Sequence, residues 1–150
     1  MNINNIKIKK MTAEHIEGLV KIENASFSKP WTYSGFENEL SNETANFLVA
    51  VYDSTEIGYI GFHTVLDEGY VANIAVLPEF RRHGIASILL ENAMEICREK
   101  SLAFLSLEVR KSNEKAISLY NKFGFKNVGE RKNFYTSPTE NAYIMTLNFT

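Results

Sequence analysis

Asn73-Ile74-Ala75-Val76-Leu77-Pro78-Glu79-Phe80-Arg81-Arg82-His83-Gly84-Ile85-Ala86 reads as a strand, a tight turn and a helix that opens at a glycine. Tyr70 to Val76 is almost wholly apolar, the pattern of a strand covered on both faces in the middle of a sheet. Pro78 ends it, because proline has no N–H to give to a ladder. A helix then runs from about Gly84 to Lys100. Ile85, Ile88, Leu89, Ala93 and Ile96 form its inner face, and Ser87, Glu91, Glu95, Arg98 and Glu99 its wet one. The first amides of a helix lack internal partners and, with the helix dipole, make an anion site. Gly84 lets a ligand come close to the backbone, Ala86 is nearly as small, and Arg81 and Arg82 add positive charge. A pyrophosphate fits this chemistry. An ordinary solvated turn also fits, since neither a GxGxxG nor a P-loop pattern is present.

Upstream, Ile6 and Ile8 alternate with lysines in a short first strand. Thr12 is placed to cap a helix, with Met11 and Ile16 as a hydrophobic staple and Ile16, Leu19 and Val20 inward. A second short helix follows Pro30, with Phe36 and Leu40 inward. Phe47–Tyr52 and Ile57–Leu66 form a hairpin across Asp53-Ser54-Thr55-Glu56, weakened locally by Gly58 and Gly61. Downstream come a strand at Leu102–Val109, a helix at Asn113–Phe123 ended by Gly124, and strands at Phe125–Val128 and Ala142–Phe149. The order β-α-α-β-β-β-α-β-α-β-β predicts a mixed α/β sandwich around one sheet, with residues 1–150 as one domain.

Along the strand at Leu102–Val109, Leu105, Leu107 and Val109 face one way, and Ser106, Glu108 and, just beyond it, Arg110 the other. Glu108 is thus a carboxylate near the C-terminal end of an interior strand, where open α/β sheets place ligands. It could equally be a salt-bridged surface carboxylate. Asn113, Ala116, Ile117 and Tyr120 share one helix face, with Asn113 and Tyr120 about 10 Å apart by helical rise. Asn113 could serve only as the helix cap, and Tyr120 only as packing with its hydroxyl at the surface. Leu119 and Phe123 read as core.

Composition narrows the function classes. The net charge of -2 argues against a nucleic-acid binder dominated by phosphate contacts. No apolar run is long enough for a membrane span, and no leader is expected, so the reading is cytoplasmic. The single cysteine, Cys97, is read as an apolar filler. His15, His63 and His83 have no partners at ligand spacing, so no metal site is expected.

Arg81, Gly84 and Ala86 fill the fixed places of Q/R-x-x-G-x-G/A, and the segment resembles the acetyl-coenzyme A motif of the GNAT superfamily. The resemblance implies that the amides of Arg82, His83, Gly84, Ile85 and Ala86 hold the pyrophosphate. It also implies that Ile74, Ala75 and Val76 border the pantetheine and acetyl carbonyl by strand-like hydrogen bonds. Ile22-Glu23, Phe27 and Pro30-Trp31, then Leu107 to Arg110, Asn113 to Phe125, Arg131 to Tyr135 and Ala142 to Met145, resemble the ribosomal-protein-alanine N-acetyltransferase branch. That branch implies a central, mostly antiparallel seven-stranded sheet flanked by about four helices. It implies a general base at Glu108, a general acid at Tyr120 and a cofactor contact at Asn113. The implied co-substrate is acetyl-CoA, and the implied acceptor is the N-terminal alanine of a small-subunit ribosomal protein. A monomer or weak dimer is expected. Phe134 stands where a second tyrosine is common, and Asn141 where an acidic residue is common.

The residue types suit amine acylation. A peptide α-amine has a pKa near 8 and attacks only when deprotonated. A carboxylate such as Glu108 can take the proton, directly or through water. A phenol such as Tyr120 can hydrogen-bond the leaving thiolate, whereas full proton transfer to it is uphill by about 2 kcal/mol at ordinary pKa values. With no cysteine in either motif, direct transfer in a ternary complex is expected. A small-molecule amine, such as a polyamine or antibiotic, is the alternative acceptor, and a non-catalytic acyl-CoA-binding module the alternative class.

Overall fold

The computed structural model describes residues 1–149. Seven strands form one sheet: β1 Lys7–Lys10, β2 Ala45–Tyr52, β3 Thr55–Val65, β4 Glu68–Val76, β5 Phe104–Arg110, β6 Lys126–Tyr135 and β7 Glu140–Asn148. The helices are α1 Ile16–Ser26, α2 Tyr33–Leu40, α3 Ile85–Glu99 and α4 Glu114–Lys122. Strand order is β1-β2-β3-β4-β5-β7-β6, antiparallel except where β4 meets β5. The expected order of elements and the mostly antiparallel sheet are both present.

Alternation along the strands splits the core in two. Leu48, Ala50, Ile57, Ile60 and Val76 pack under α3 together with Leu105, Leu107, Val109 and Tyr120. Phe47, Val49, Tyr59 and Ala75 face the other way, under Ile16, Leu19, Ile22 and Phe36 of α1 and α2. Gly61 makes this second layer possible. A Cβ there would lie 2.3 Å from the Phe47 ring, so only glycine lets Phe47 lie across β3 and stack on Tyr59, 6.3 Å away. Met11 and Ile16 are both buried, as a staple requires. Thr12 caps a single 3-10 turn, Ala13–His15, that leads into α1.

Several expectations change. Leu40 is 41% exposed, because α2 is only two turns long and ends at that residue, leaving Phe36 as its anchor. The buried stripe of α3 runs through Ile85, Leu89, Ala93 and Cys97 and leans toward Leu90 and Met94. Ile88 and Ile96 are half-buried at its flank. Periodicity fixes an apolar stripe but not which of its flanks the sheet covers. In α4 only Tyr120 is buried, while Leu119 and Phe123 are half-buried. Strand β6 runs on to Tyr135, well beyond Val128. It is an edge strand with little burial, so no apolar alternation announces it. Strand β4 lies mid-sheet as expected, yet most of it is only half-buried. The reason is the opening described next.

Candidate active site

Strands β4 and β5 pair only at Glu68–Phe104, Gly69–Leu105 and Tyr70–Ser106. Beyond these rungs, Val71–Val76 and Leu107–Arg110 have no pairing with each other, and the sheet parts. The Leu77 N–H donates to the Ile57 carbonyl at 2.8 Å, which fixes the hydrogen-bond phase of the β3–β4 ladder. Ala75, opposite Tyr59, shares that phase, so its peptide groups turn toward β3. Ile74 and Val76 turn theirs the other way, into the opening. Of these three residues, Ile74 and Val76 therefore turn backbone groups into the opening, and Ala75 turns its own to β3. The Ile74 N–H meets the Asn73 Oδ1 at 3.2 Å, and the Val76 carbonyl accepts from Arg81 Nε at 2.9 Å.

The turn after β4 has a definite shape. Pro78 starts a short 3-10 turn, Pro78–Phe80, where its missing N–H is harmless. Arg82 and Gly84 then both take positive φ, 67° and 78°, on either side of His83. A Cβ at Gly84 would have space, with Ile3 Cδ1 the nearest atom at 3.8 Å. Glycine is therefore favoured there by backbone conformation and not by crowding. Helix α3 starts with no side-chain cap. Its first internal bond, Ile88 N–H to the Gly84 carbonyl, is 3.1 Å long. The amides before Ile88 thus point along the axis with no partner in the helix.

They border a cavity of about 140 Å³ lined by Val76, Phe80, Arg81, Arg82 and the stretch from Gly84 to Ser87. Unpartnered amides, a left-handed glycine and two arginines fit a diphosphate. His83 is exposed and does not line this cavity. Arg81 turns inward, its Nη2 reaching Ser26 Oγ at 3.3 Å, so it braces the turn against the end of α1. A larger cavity, about 210 Å³, lies between Lys10, α2 and β2. It has neither free helix amides nor a parted strand pair.

Glu108 points to the α1–α2 face of the sheet, opposite Leu107 and Val109. Its side chain is 30% exposed, with Oε1 at 3.3 Å from Arg131 Nε. The salt-bridged surface alternative is therefore real geometry, but only one carboxylate oxygen is engaged. Tyr120 lies on the α3 face. Its ring is buried 5.7 Å from Phe125, and burial, with Tyr135 nearby, pushes its phenol well above the ordinary value. Among the described residues no side-chain N or O is both cut off from solvent and without a partner. The Tyr120 hydroxyl has no hydrogen-bond partner among the described residues, and it keeps a trace of contact with solvent. The Tyr135 phenol is pushed up to about 12 by burial and then by the Glu108 charge. Asn113 caps α4, its Oδ1 accepting the Ala116 N–H at 3.2 Å.

The α1–α2 face also holds Glu23, which the sequence marked only within the Ile22-Glu23 and Pro30-Trp31 signature of the resemblance. Glu23 is completely buried, and its Oε1 accepts the Trp31 N–H at 2.8 Å. Its Oε2 accepts the Tyr59 hydroxyl at 2.6 Å and Asn73 Nδ2 at 2.9 Å. Burial raises the Glu23 pKa, and the Tyr59 and Trp31 donors partly offset the rise. The available signal was its position, seven residues after Ile16 and four after Leu19, a carboxylate on the buried stripe. Across the site, Ser28 Oγ donates to the Ser137 carbonyl at 2.9 Å and Lys29 Nζ to Thr136 Oγ1 at 2.8 Å. These bonds join the α1–α2 connection to the β6–β7 loop. Arg110 stacks on the Tyr135 ring at 4.5 Å and pairs with Glu140 at 3.2 Å, steadying the same loop.

A strand that parts from its parallel neighbour is followed here by a turn that leaves the first amides of α3 without helix partners. Residues 16–125 match the sequence model of the Acetyltransferase (GNAT) family, and the chain belongs to that family. It is a GNAT-type N-acetyltransferase. Over 139 residues it is 42% identical to a Bacillus subtilis (strain 168) protein provisionally named a [ribosomal protein bS18]-alanine N-acetyltransferase, covering 92% of each chain. The crystal structure of the ribosomal-protein-S18-alanine N-acetyltransferase from Escherichia coli superposes with a TM-score of 0.89 at 30% identity, over 97% of this chain and 94% of that one. The PaiA N-acetyltransferase from Thermoplasma acidophilum, solved in complex with coenzyme A, shares the fold with a TM-score of 0.81 at 24% identity, over 96% and 99%. Among the described residues no group of three or more His, Cys, Asp or Glu side chains is placed to hold a metal ion. No helix among them is long and apolar enough to cross a membrane.

Proposed function

We propose that this enzyme transfers acetyl from acetyl-CoA to a protein N-terminal α-amine, and that its acceptor is the N-terminal alanine of ribosomal protein bS18. The observation that carries the proposal is the parting of β4 from β5 after Tyr70–Ser106, which leaves Glu108 on a stretch of β5 with no β4 partner. The acceptor assignment draws on the Bacillus subtilis and Escherichia coli relatives.

Acetyl-CoA supplies the activated acyl group. The amides leading into α3 hold its diphosphate, with Arg82 adding charge. The backbone of Ile74 and Val76 borders the arm carrying the thioester, and Asn113 Nδ2 remains available to the cofactor while Oδ1 caps α4. The amine approaches from the α1–α2 face. Glu108 takes its proton, directly or through one water, using the oxygen that Arg131 leaves free. The nitrogen forms a bond to the acetyl carbon, the carbon–sulfur bond breaks, and the thiolate departs toward Tyr120. Burial raises the Tyr120 phenol, so proton transfer to a thiolate of pKa about 8.5 is uphill by more than the unshifted 2 kcal/mol. Tyr120 therefore acts by hydrogen-bonding the thiolate. Cys97 is fully buried and its thiol is pushed up to about 11, which suits a route with no acetyl-enzyme.

Incubation with labelled acetyl-CoA tests this reading. A peptide copying the bS18 N-terminus, starting at alanine, is expected to take up label at its α-amine. Label appearing on a polyamine in preference to that peptide would refute the acceptor.

A further inference from the structure

Glu23 is the one fully buried ionisable carboxylate in the core described above, and the chemistry just set out does not use it. It sits on α1, yet its partners lie on three other segments: Trp31 before α2, Tyr59 on β3 and Asn73 on β4. Burying a carboxylate is costly unless every lone pair is used. Core filling does not call for one, since an apolar residue opposite a phenylalanine at position 59 would occupy the space as well. What a carboxylate adds is direction. One oxygen holds the loop that carries Trp31, and the other holds β4 one residue before Ile74, whose backbone faces the opening. Trp31 then packs on Phe36 and Phe47, with ring centres 5.4 and 5.9 Å away. The same loop continues back to Ser28 and Lys29, which bond to the β6–β7 loop.

We propose that Glu23 is a positioning residue that locks the acceptor-side α1–α2 loop to the strand bordering the thioester, and so sets acceptor affinity. The inference rests on the peptide-acceptor reading above. Glu23 is too deeply buried to touch either substrate, and it acts through Trp31 and Asn73.

Glu23→Gln tests it. Glutamine keeps the size but offers one acceptor oxygen to three donors, so either the loop or the sheet side loses its bond. Tyr59→Phe and Asn73→Ala each remove one sheet-side donor and keep the carboxylate. Trp31 is the single tryptophan, so its fluorescence reports the loop alone. In Glu23→Gln, KM for the alanyl peptide is expected to rise about tenfold, a loss typical of a misplaced positioning group. Coenzyme A affinity should stay within about twofold of the wild type. Trp31 emission should shift to the red and become more open to iodide quenching. Asn73→Ala should move the peptide KM in the same direction by less, again with coenzyme A affinity kept. Equal losses of coenzyme A and peptide affinity, or an unchanged peptide KM, would overturn the proposal. If Glu23→Gln does not fold, Asn73→Ala and Tyr59→Phe decide it, and an unmoved peptide KM in both overturns it. If the wild type acetylates no alanyl peptide, the acceptor reading fails by itself. Trp31 quenching in Glu23→Gln then judges the lock, and unchanged quenching refutes it.

Discussion

The turn from Leu77 to Gly84 and the wall across the opening from it are built by different means. The turn is made of backbone. Its working parts are helix amides, two positive φ angles and one glycine, all within a few residues of one another. The wall is made of side chains brought together from distant places. Glu23 and Asn73 are 50 positions apart, and Ser28 and Ser137 are 109 apart. A backbone cradle suits a diphosphate, which is the same whatever the acyl acceptor. A wall assembled from side chains can change with the acceptor while the cradle stays.

This division predicts that changes on the wall and at the proposed pair, Glu108 and Tyr120, alter rate or acceptor use, whereas changes in the turn alter cofactor binding. The largest effect is expected for Glu108→Gln, with kcat lowered by about 10² to 10⁴ and coenzyme A affinity unchanged by calorimetry. A rate within a few-fold of wild type would remove Glu108 from the mechanism. Next comes Tyr120→Phe, with kcat lowered about a hundredfold, the loss expected on removing one donor to a developing anion. Its melting temperature should hardly move, since the hydroxyl has no protein partner to lose. Burial favours the neutral phenol, so the donor persists above its ordinary pKa. The wild-type rate should therefore climb as the α-amine deprotonates near pH 8 and show no fall up to about pH 10.

Gly84→Ala comes third. Holding alanine at φ 78° costs about 1 kcal/mol. The turn relaxes instead, and coenzyme A affinity should drop about tenfold with the peptide KM little changed. A matching rise in peptide KM would blur the division. The smallest effect is expected for Arg131→Ala. Its pair with Glu108 is exposed, with 56% of the arginine side chain open, so stability should change by under about 1 kcal/mol in thermal unfolding.

The same contrast explains what could be read from the sequence. Arg81, Gly84 and Ala86 stand close together in the chain, so the family motif they form was legible, as were the alternation that aims Glu108 and the cap at Asn113. Local reading also gave the order of strands and helices. It could not show that β4 and β5 part after three rungs, because each strand's apolar pattern looks the same whether or not the neighbour follows it. That hidden parting is why Tyr70–Val76 reads as a fully covered strand and is only half-covered. Arg81 was legible as positive charge, but its inward turn onto Val76 and Ser26 depends on where α1 ends. Glu23 was legible as part of the Ile22-Glu23 signature and as a charge on an apolar stripe, but its three bonds were not, because its partners are remote in the chain. Phe134 and Asn141 were legible as departures. In the structure Asn141 donates to Glu130 at 2.7 Å and accepts the Asn133 N–H at 2.9 Å, so it ties β6 to β7.

The most direct test of the account is calorimetric titration of the wild-type enzyme with coenzyme A and, separately, with phosphopantetheine, which keeps the thiol arm but lacks the diphosphate. If the amides before Ile88 grip the diphosphate, coenzyme A binds about a hundredfold more tightly or better. Equal affinities, or no heat with coenzyme A, would contradict it.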